Sequence, residues 1–234
     1  MEKKSIIIDF DHTMGYFEQI IFLINIVETI YQETLNVSKM YLLFSCYPQV
    51  FRPKLYDIIQ LILYFQKDDN VKFFILYTCN NKPHFVEAIV SFLENELNHS
   101  PLFQYTLYEK SKHKNMNTIL QSIQEEQLDS HLLCFIDNKL FHYTNETDIK
   151  YIKCEDYIYH YEIHEIVKLF PYDRFKQVDE ATLIQYFKLK NRSKSKKKTK
   201  DKRQKKGLPY PLYELNSSFI LQSLRDFVFG APAI

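Results

Sequence analysis

The chain leads with a short charged stretch and then an unbroken apolar run, Ile6-Ile7-Ile8. A run with no polar alternation predicts a strand covered on both faces, as in a parallel sheet. Val71 to Tyr77 (V-K-F-F-I-L-Y) and His131 to Ile136 (H-L-L-C-F-I) follow the same pattern. Phe103 to Tyr108 (F-Q-Y-T-L-Y) alternates and predicts a short strand. Tyr151-Ile152 and Tyr157-Ile158-Tyr159 read as further short edge elements. Between these runs the spacing changes to the helical period. Tyr16 to Gln32 carries Phe17, Ile20, Ile21, Ile24, Val27 and Ile30 at helical positions. Leu55, Ile58, Ile59, Ile62, Leu63 and Phe65 predict a second helix, with Pro53 suited to its first turn and an end near Lys67. Pro83 to Leu97, Met116 to Gln127, Glu162 to Phe170 and Asp179 to Leu189 are also read as helical, while Lys39 to Cys46 is ambiguous. Near the end, Phe219, Ile220, Leu224, Phe227 and Val228 form a helical stripe, with Ser217 as its expected N-cap and Gly230 and Pro232 as its stop.

Strand, helix, strand, helix, strand in succession predicts an α/β fold. The expected form is a Rossmann-like, three-layer parallel sheet with right-handed crossovers and helices on both faces. A helical insertion of about residues 16–50 follows the first strand. The expected organisation is one domain over 1–187, a basic unstructured linker over 188–207 and a helical C-terminal segment over 208–234.

Composition sharpens this picture. A chain of 234 residues, 46% apolar, is long enough for one sizeable α/β domain with an appendage. The net charge of +1 conceals an asymmetry. From Lys188 to Lys206 the chain is dense in Lys and Arg, with Asp201 its lone acid, so the remainder is acidic. That run has nothing to bury and is expected to be unstructured; it could contact nucleic-acid phosphates or serve as a nuclear address. With only three glycines, no Gly-rich phosphate loop exists, which argues against a kinase, a GTPase or a dinucleotide-dependent dehydrogenase. No apolar run is long enough to span a membrane. No secretory signal is apparent, and the four cysteines lack metal-type spacing. An intracellular protein, cytoplasmic or nuclear, with reduced thiols is expected.

The chemistry sits where the strands end. The first strand runs into Asp9 and Asp11, two apart and therefore on one side of an extended chain. Two acids at the carboxyl end of a buried strand are costly unless a cation joins them, and open α/β sheets place ligands at that end. The second long strand ends in Thr78-Cys79 and the last in Asp137-Asn138. Phosphoryl transfer through an aspartyl-phosphate needs a carboxylate nucleophile, an acid/base, Mg²⁺, donors for the phosphoryl oxygens and a cation over the phosphate. Asp9 would attack. Asp11 would protonate the leaving oxygen and then activate water. Thr78, with Cys79, would bind phosphoryl oxygens. Asp137 and Asn138 would complete a Mg²⁺ shell begun by Asp9 and Asp11. A lysine of the loop Lys110-Ser111-Lys112-His113-Lys114 would hold the phosphate, Lys114 first and Lys112 next.

Taken together these stretches resemble the haloacid-dehalogenase superfamily, and within it the small C-terminal-domain phosphatase branch. The resemblance spans roughly residues 5 to 145. It is carried by I-I-I-D-F-D-H-T-M (6–14), F-R-P (51–53), I-L-Y-T-C (75–79), L-F-Q-Y-T-L-Y-E-K-S (102–111) and C-F-I-D-N (134–138). It implies Asp9 as the phosphorylated nucleophile and Asp11 as acid/base, with the Asp11 backbone carbonyl on the metal. It further implies Thr13 as support for the loop, Thr78 on phosphate, Asn138 on Mg²⁺ with Asp137 beside it, and phosphoserine or phosphothreonine proteins as substrates. The chain departs from the family where the helix before the last strand should bear the phosphate-binding lysine. That place reads N-M-N-T-I. That departure and the basic run keep open a catalytically weak or inactive module that binds a phosphorylated partner or nucleic acid, and the basic run, which would hold a polynucleotide, also keeps open a nucleic-acid 3′-phosphatase.

Overall fold

The computed structural model describes residues 3–109, 131–139, 149–196 and 207–230. Its strands are β1 (Lys3–Asp9), β2 (Phe73–Thr78), β3 (Tyr105–Tyr108), β4 (His131–Asp137) and β5 (Ile149–Lys153). Its α-helices are α1 (Glu18–Tyr31), α2 (Val37–Cys46), α3 (Leu55–Lys67), α4 (Pro83–Leu97), α5 (Ile163–Leu169), α6 (Glu180–Lys196) and α7 (Tyr210–Phe229). The chain divides into two compact units. One holds Met1–Tyr16, Phe51–Tyr157 and Leu208–Ile234; the other holds Phe17–Val50 and Ile158–Gly207.

The first unit is built on a five-stranded sheet in the order β3-β2-β1-β4-β5, parallel throughout and flanked by helices. The α/β expectation is met. Ile6, Ile7 and Ile8 are all buried, which is what a central strand with two covered faces requires. On one face Ile7, Ile75, Tyr77, Leu133 and Phe135 form a cluster drawn from the three inner strands. The chain winds outward from β1 to β3 on one side and then restarts beside β1 with β4. The strand order therefore reverses between β1 and β4, and at such a point a crevice opens beyond the carboxyl ends. The register pairs Ile8 with Ile136, so Asp9 and Asp137 leave the sheet side by side at that crevice.

Several boundaries differ from expectation, each for a local reason. Helix α3 starts at Leu55, not in the turn after Phe51. The Arg52 N–H bonds to the Met14 carbonyl at 2.9 Å and Gly15 bridges Phe51, so this stretch is held extended and Lys54 turns the chain with φ 58°. The ambiguous Lys39 to Cys46 belongs to helix α2, whose N-cap Asn36 accepts the Lys39 N–H at 2.9 Å. Tyr151-Ile152 lies in β5, but Tyr157 to Tyr159 forms no strand. Ser217 is not a cap. Helix α7 starts at Tyr210, because Pro211 in a first turn costs no hydrogen bond, and Ser217 lies buried at mid-helix. Helix α6 continues to Lys196, into the basic run expected to be unstructured. The helix expected over Met116 to Gln127 lies outside the described residues.

Helix α7 packs on its own unit through Tyr213, Ile220, Leu224 and Val228, a stripe at helical spacing. Phe229 meets Phe65 of α3 edge-on at 5.4 Å, and Lys4 Nζ donates to the Val228 carbonyl at 2.6 Å. The second unit joins segments remote in sequence. The Gln19 amide exchanges two hydrogen bonds with the Tyr161 backbone, at 2.9 and 2.8 Å. Tyr47 donates to the Ile166 carbonyl at 2.7 Å, and burial pushes its phenol pKa up, so it stays a neutral donor. The helical insertion expected after β1 belongs to this unit.

Candidate active site

The site is the loop that follows β1. Beyond Asp9 the chain turns sharply: the His12 N–H bonds to the Gly15 carbonyl at 2.8 Å and the Met14 N–H to the Phe10 carbonyl at 3.0 Å. His12 takes φ 64°, a left-handed conformation that costs free energy and is kept only where surroundings enforce it. Here they do. Tyr157 N–H bonds to the His12 carbonyl at 2.8 Å, and His12 Nδ1 lies 3.2 Å from the Tyr157 carbonyl. Arg52, only 2% exposed, donates Nη2 to the carbonyls of His12 and Glu155, Nε to the Thr13 carbonyl and Nη1 to Asn216 Oδ1. Burial lowers its pKa, yet a guanidinium stays charged in any case. The one buried cation among the described residues is therefore spent on the turn.

Inside the turn lies a buried polar knot. The Thr13 hydroxyl sits 2.8 Å from Asp9 Oδ2 and 3.3 Å from Asn138 Oδ1, and its oxygen accepts the Asn138 N–H at 3.1 Å. One hydroxyl hydrogen serves the nearer acceptor, Asp9. The Cys154 thiol approaches the same oxygen at 3.8 Å. Burial pushes that thiol up to about 11, with the Arg52 charge pulling it partly back. Asn138 Nδ2 donates to Asp156 Oδ1 at 2.6 Å, which settles the amide's orientation and turns Oδ1 toward Thr13 and Asp9. Asp137 Oδ1 accepts the Lys139 N–H at 2.7 Å, closing the turn that presents Asn138. Asp11 is held from the loop that follows β2, where Asn80 Nδ2 lies 3.2 Å from both its oxygens. The Asn80 N–H in turn bonds to Thr78 Oγ1 at 3.0 Å.

No known protein family, curated protein or solved structure matches this chain.

The geometry thus unites Asp9, Thr13 and Asn138 directly and ties Asp11 to Thr78 through Asn80. Asp137 stands at the same edge, and Cys79 follows Thr78 on the loop to α4. Lys112 and Lys114 lie outside the described residues. The donors around the knot are carboxylate and amide oxygens, the hard set that Mg²⁺ prefers. Asp9 and Asp137 are 6% and 1% exposed, and so much buried negative charge fits a cation there. Among the described residues no group of three or more His, Cys, Asp and Glu side chains is placed to hold a metal ion, so Asn138 would have to serve as one of the donors.

Three contributors escaped sequence reasoning. Asn80 sits in N-N-K-P before a helix, a turn-forming signature that could have flagged it. Asp156 follows β5, and the rule that acids cluster at strand carboxyl ends, applied to that strand, would have found it. Arg52 was visible as a motif letter, but nothing in the spacing says that its fork faces backbone carbonyls.

Proposed function

We propose that the protein is a phosphomonoester hydrolase of the haloacid-dehalogenase type, with phosphoserine or phosphothreonine proteins as its substrate class. The observation that carries this reading is the placement of two carboxylates on one loop at the sheet's switch point. Asp9 is buried and oriented by Thr13; Asp11 is half-buried and held by Asn80 of the loop after β2. Environments this different suit two carboxylates to two roles.

In the first half-reaction an Asp9 oxygen forms a bond to phosphorus as the bond from phosphorus to the ester oxygen breaks. Asp11 supplies the proton to that departing oxygen. In the second, water attacks the aspartyl-phosphate, Asp11 takes back a proton, and the bond to Asp9 breaks to release phosphate and free the carboxylate. Thr78 Oγ1 accepts from Asn80 N–H, so its own hydrogen is available to donate to a phosphoryl oxygen. Asp9, Asn138, Asp137 and Asp11 would hold Mg²⁺, which when bound neutralises charge on the phosphoryl group.

The test is phosphate release from an aryl phosphate, with and without Mg²⁺, by the wild type and Asp9→Asn between about pH 5 and 8. Hydrolysis that requires Mg²⁺ and is lost in Asp9→Asn is the expected result. Absence of hydrolysis from both proteins would overturn the enzyme reading and favour a module that binds phosphorylated partners.

A further inference from the structure

We propose that Asn80 is the positioning residue that aims Asp11 at the leaving oxygen, an inference that rests on the hydrolase reading above. The amide of Asn80 has one possible orientation. Its Oδ1 accepts the Lys82 N–H at 2.9 Å, so the group pointing at Asp11 is the NH₂ and not the carbonyl. That NH₂ lies 3.2 Å from both Asp11 oxygens, a bifurcated contact that fixes the plane of the carboxylate as well as its place. The same residue donates its backbone N–H to Thr78 Oγ1 at 3.0 Å. Asn80 therefore links the carboxylate assigned to the leaving group, on the loop after β1, with the hydroxyl assigned to the phosphoryl oxygen, at the end of β2.

The local fold makes this link stiff. Asn80 opens an Asx turn that ends at Lys82, directly before Pro83 starts α4, so the side chain is anchored in a turn followed by a rigid helix. Asp11 stands on the loop after β1, whose backbone is held at His12, Thr13 and Met14 by Tyr157 and Arg52, while Asn80 bonds to the Asp11 carboxylate itself. A misdirected carboxylate leaves nucleophilic attack by Asp9 intact but delivers its proton poorly. That defect has a chemical signature. An ester whose leaving group is a weak acid, such as an alkyl alcohol, depends on protonation in the transition state, whereas nitrophenolate departs without it.

The experiment compares kcat/KM for an alkyl phosphate and for p-nitrophenyl phosphate in the wild type, Asn80→Ala and Asn80→Asp. This ratio reports the step that forms the aspartyl-phosphate, so later hydrolysis does not intrude. Asn80→Asp keeps an acceptor for the Lys82 N–H, and hence the turn, while removing the donor and placing a like charge beside Asp11. The expected outcome is a loss of about 10²-fold on the alkyl ester against about threefold or less on the nitrophenyl ester, in both variants. Equal losses on the two esters, or no loss on either, would overturn the assignment. Failure of the wild type to hydrolyse either ester would overturn the hydrolase reading first, and it shows in the wild-type arm alone.

Discussion

Removing the Arg52 fork tests the physical account of the site without any assay of activity. Arg52→Met keeps the length and apolar stem of the side chain and deletes its donors. Four acceptors then lose a partner: the carbonyls of His12, Thr13 and Glu155, and Asn216 Oδ1. They do not lose equally. The His12 carbonyl retains the Tyr157 N–H at 2.8 Å, and Asn216 Oδ1 retains the Glu155 N–H at 3.2 Å. The carbonyl of buried Thr13 bears most of the loss, at about 1–3 kcal/mol for a buried unsatisfied group, whereas Glu155 is exposed and water can replace its lost partner. Relief of the guanidinium's own desolvation offsets some of it. The expected destabilisation is about 1–3 kcal/mol, read as a lower urea midpoint at constant m-value. Arg52→Lys keeps the charge but not the planar fork, and should lose about half as much. A cycle with Asn216→Ala should show coupling of about 0.5–3 kcal/mol, because α7 accepts one arm of the fork. A loss below about 1 kcal/mol in Arg52→Met, with no coupling to Asn216, would refute the view that this cation holds the turn.

Two further outcomes follow from buried groups. The Cys154 thiol is pushed up to about 11 in the folded chain, above its ordinary value near 9.0, so between those values the unfolded chain ionises while the folded one does not. Stability from this group is complete below about pH 9 and falls as pH rises toward 11, by at most about 3 kcal/mol; thermal melts of Cys154→Ala should show a shallower decline over that range. Ser217 buries a hydroxyl with no hydrogen-bond partner among the described residues in the middle of α7, so Ser217→Ala should be neutral or stabilising by up to about 1 kcal/mol, whereas Leu224→Ala on the same buried stripe should cost about 2–5 kcal/mol by urea titration.

What the sequence revealed, and what it hid, divides along the range of the forces involved. Burial of β1 was legible because three successive isoleucines leave no face for water. Helix α4 was legible to its bounds, Pro83–Leu97, because Pro83 marks its start and the apolar positions keep one period. Asp9, Thr78 and Asp137-Asn138 were legible as strand ends, since each follows an apolar run. The connections among them were not. Asn138 reaches Asp156, Arg52 reaches Asn216, and Asn80 reaches Asp11, and no periodicity reports a pairing between residues that distant in sequence. The onset of α7 was hidden for the opposite reason. Pro-Tyr-Pro reads locally as a breaker, and burial of Tyr213 against Tyr157, ring to ring at 4.8 Å, overrides that preference.

The charge at the switch point constrains every functional reading alike. Asp9 and Asp137 are buried there and Asp11 and Asp156 are half-buried beside them, while Arg52, whose charge attracts Asp156, directs its hydrogen bonds to carbonyls and Asn216. A phosphate approaching this edge meets negative charge, at a cost of about 4 kcal/mol per pair of unit charges 4 Å apart in surroundings of effective dielectric about 20. Both the hydrolase and the binding-module readings require phosphate to be held at this edge, and both would be helped there by a cation, such as a metal among the oxygens of Asp9, Asp137 and Asn138. The readings diverge at the next step, over whether Asp9 forms its bond to phosphorus. On the proposed hydrolase reading these contacts have a use: Thr13 would orient one Asp9 oxygen for attack, and Asn80, beyond the end of β2, would aim Asp11 two residues away.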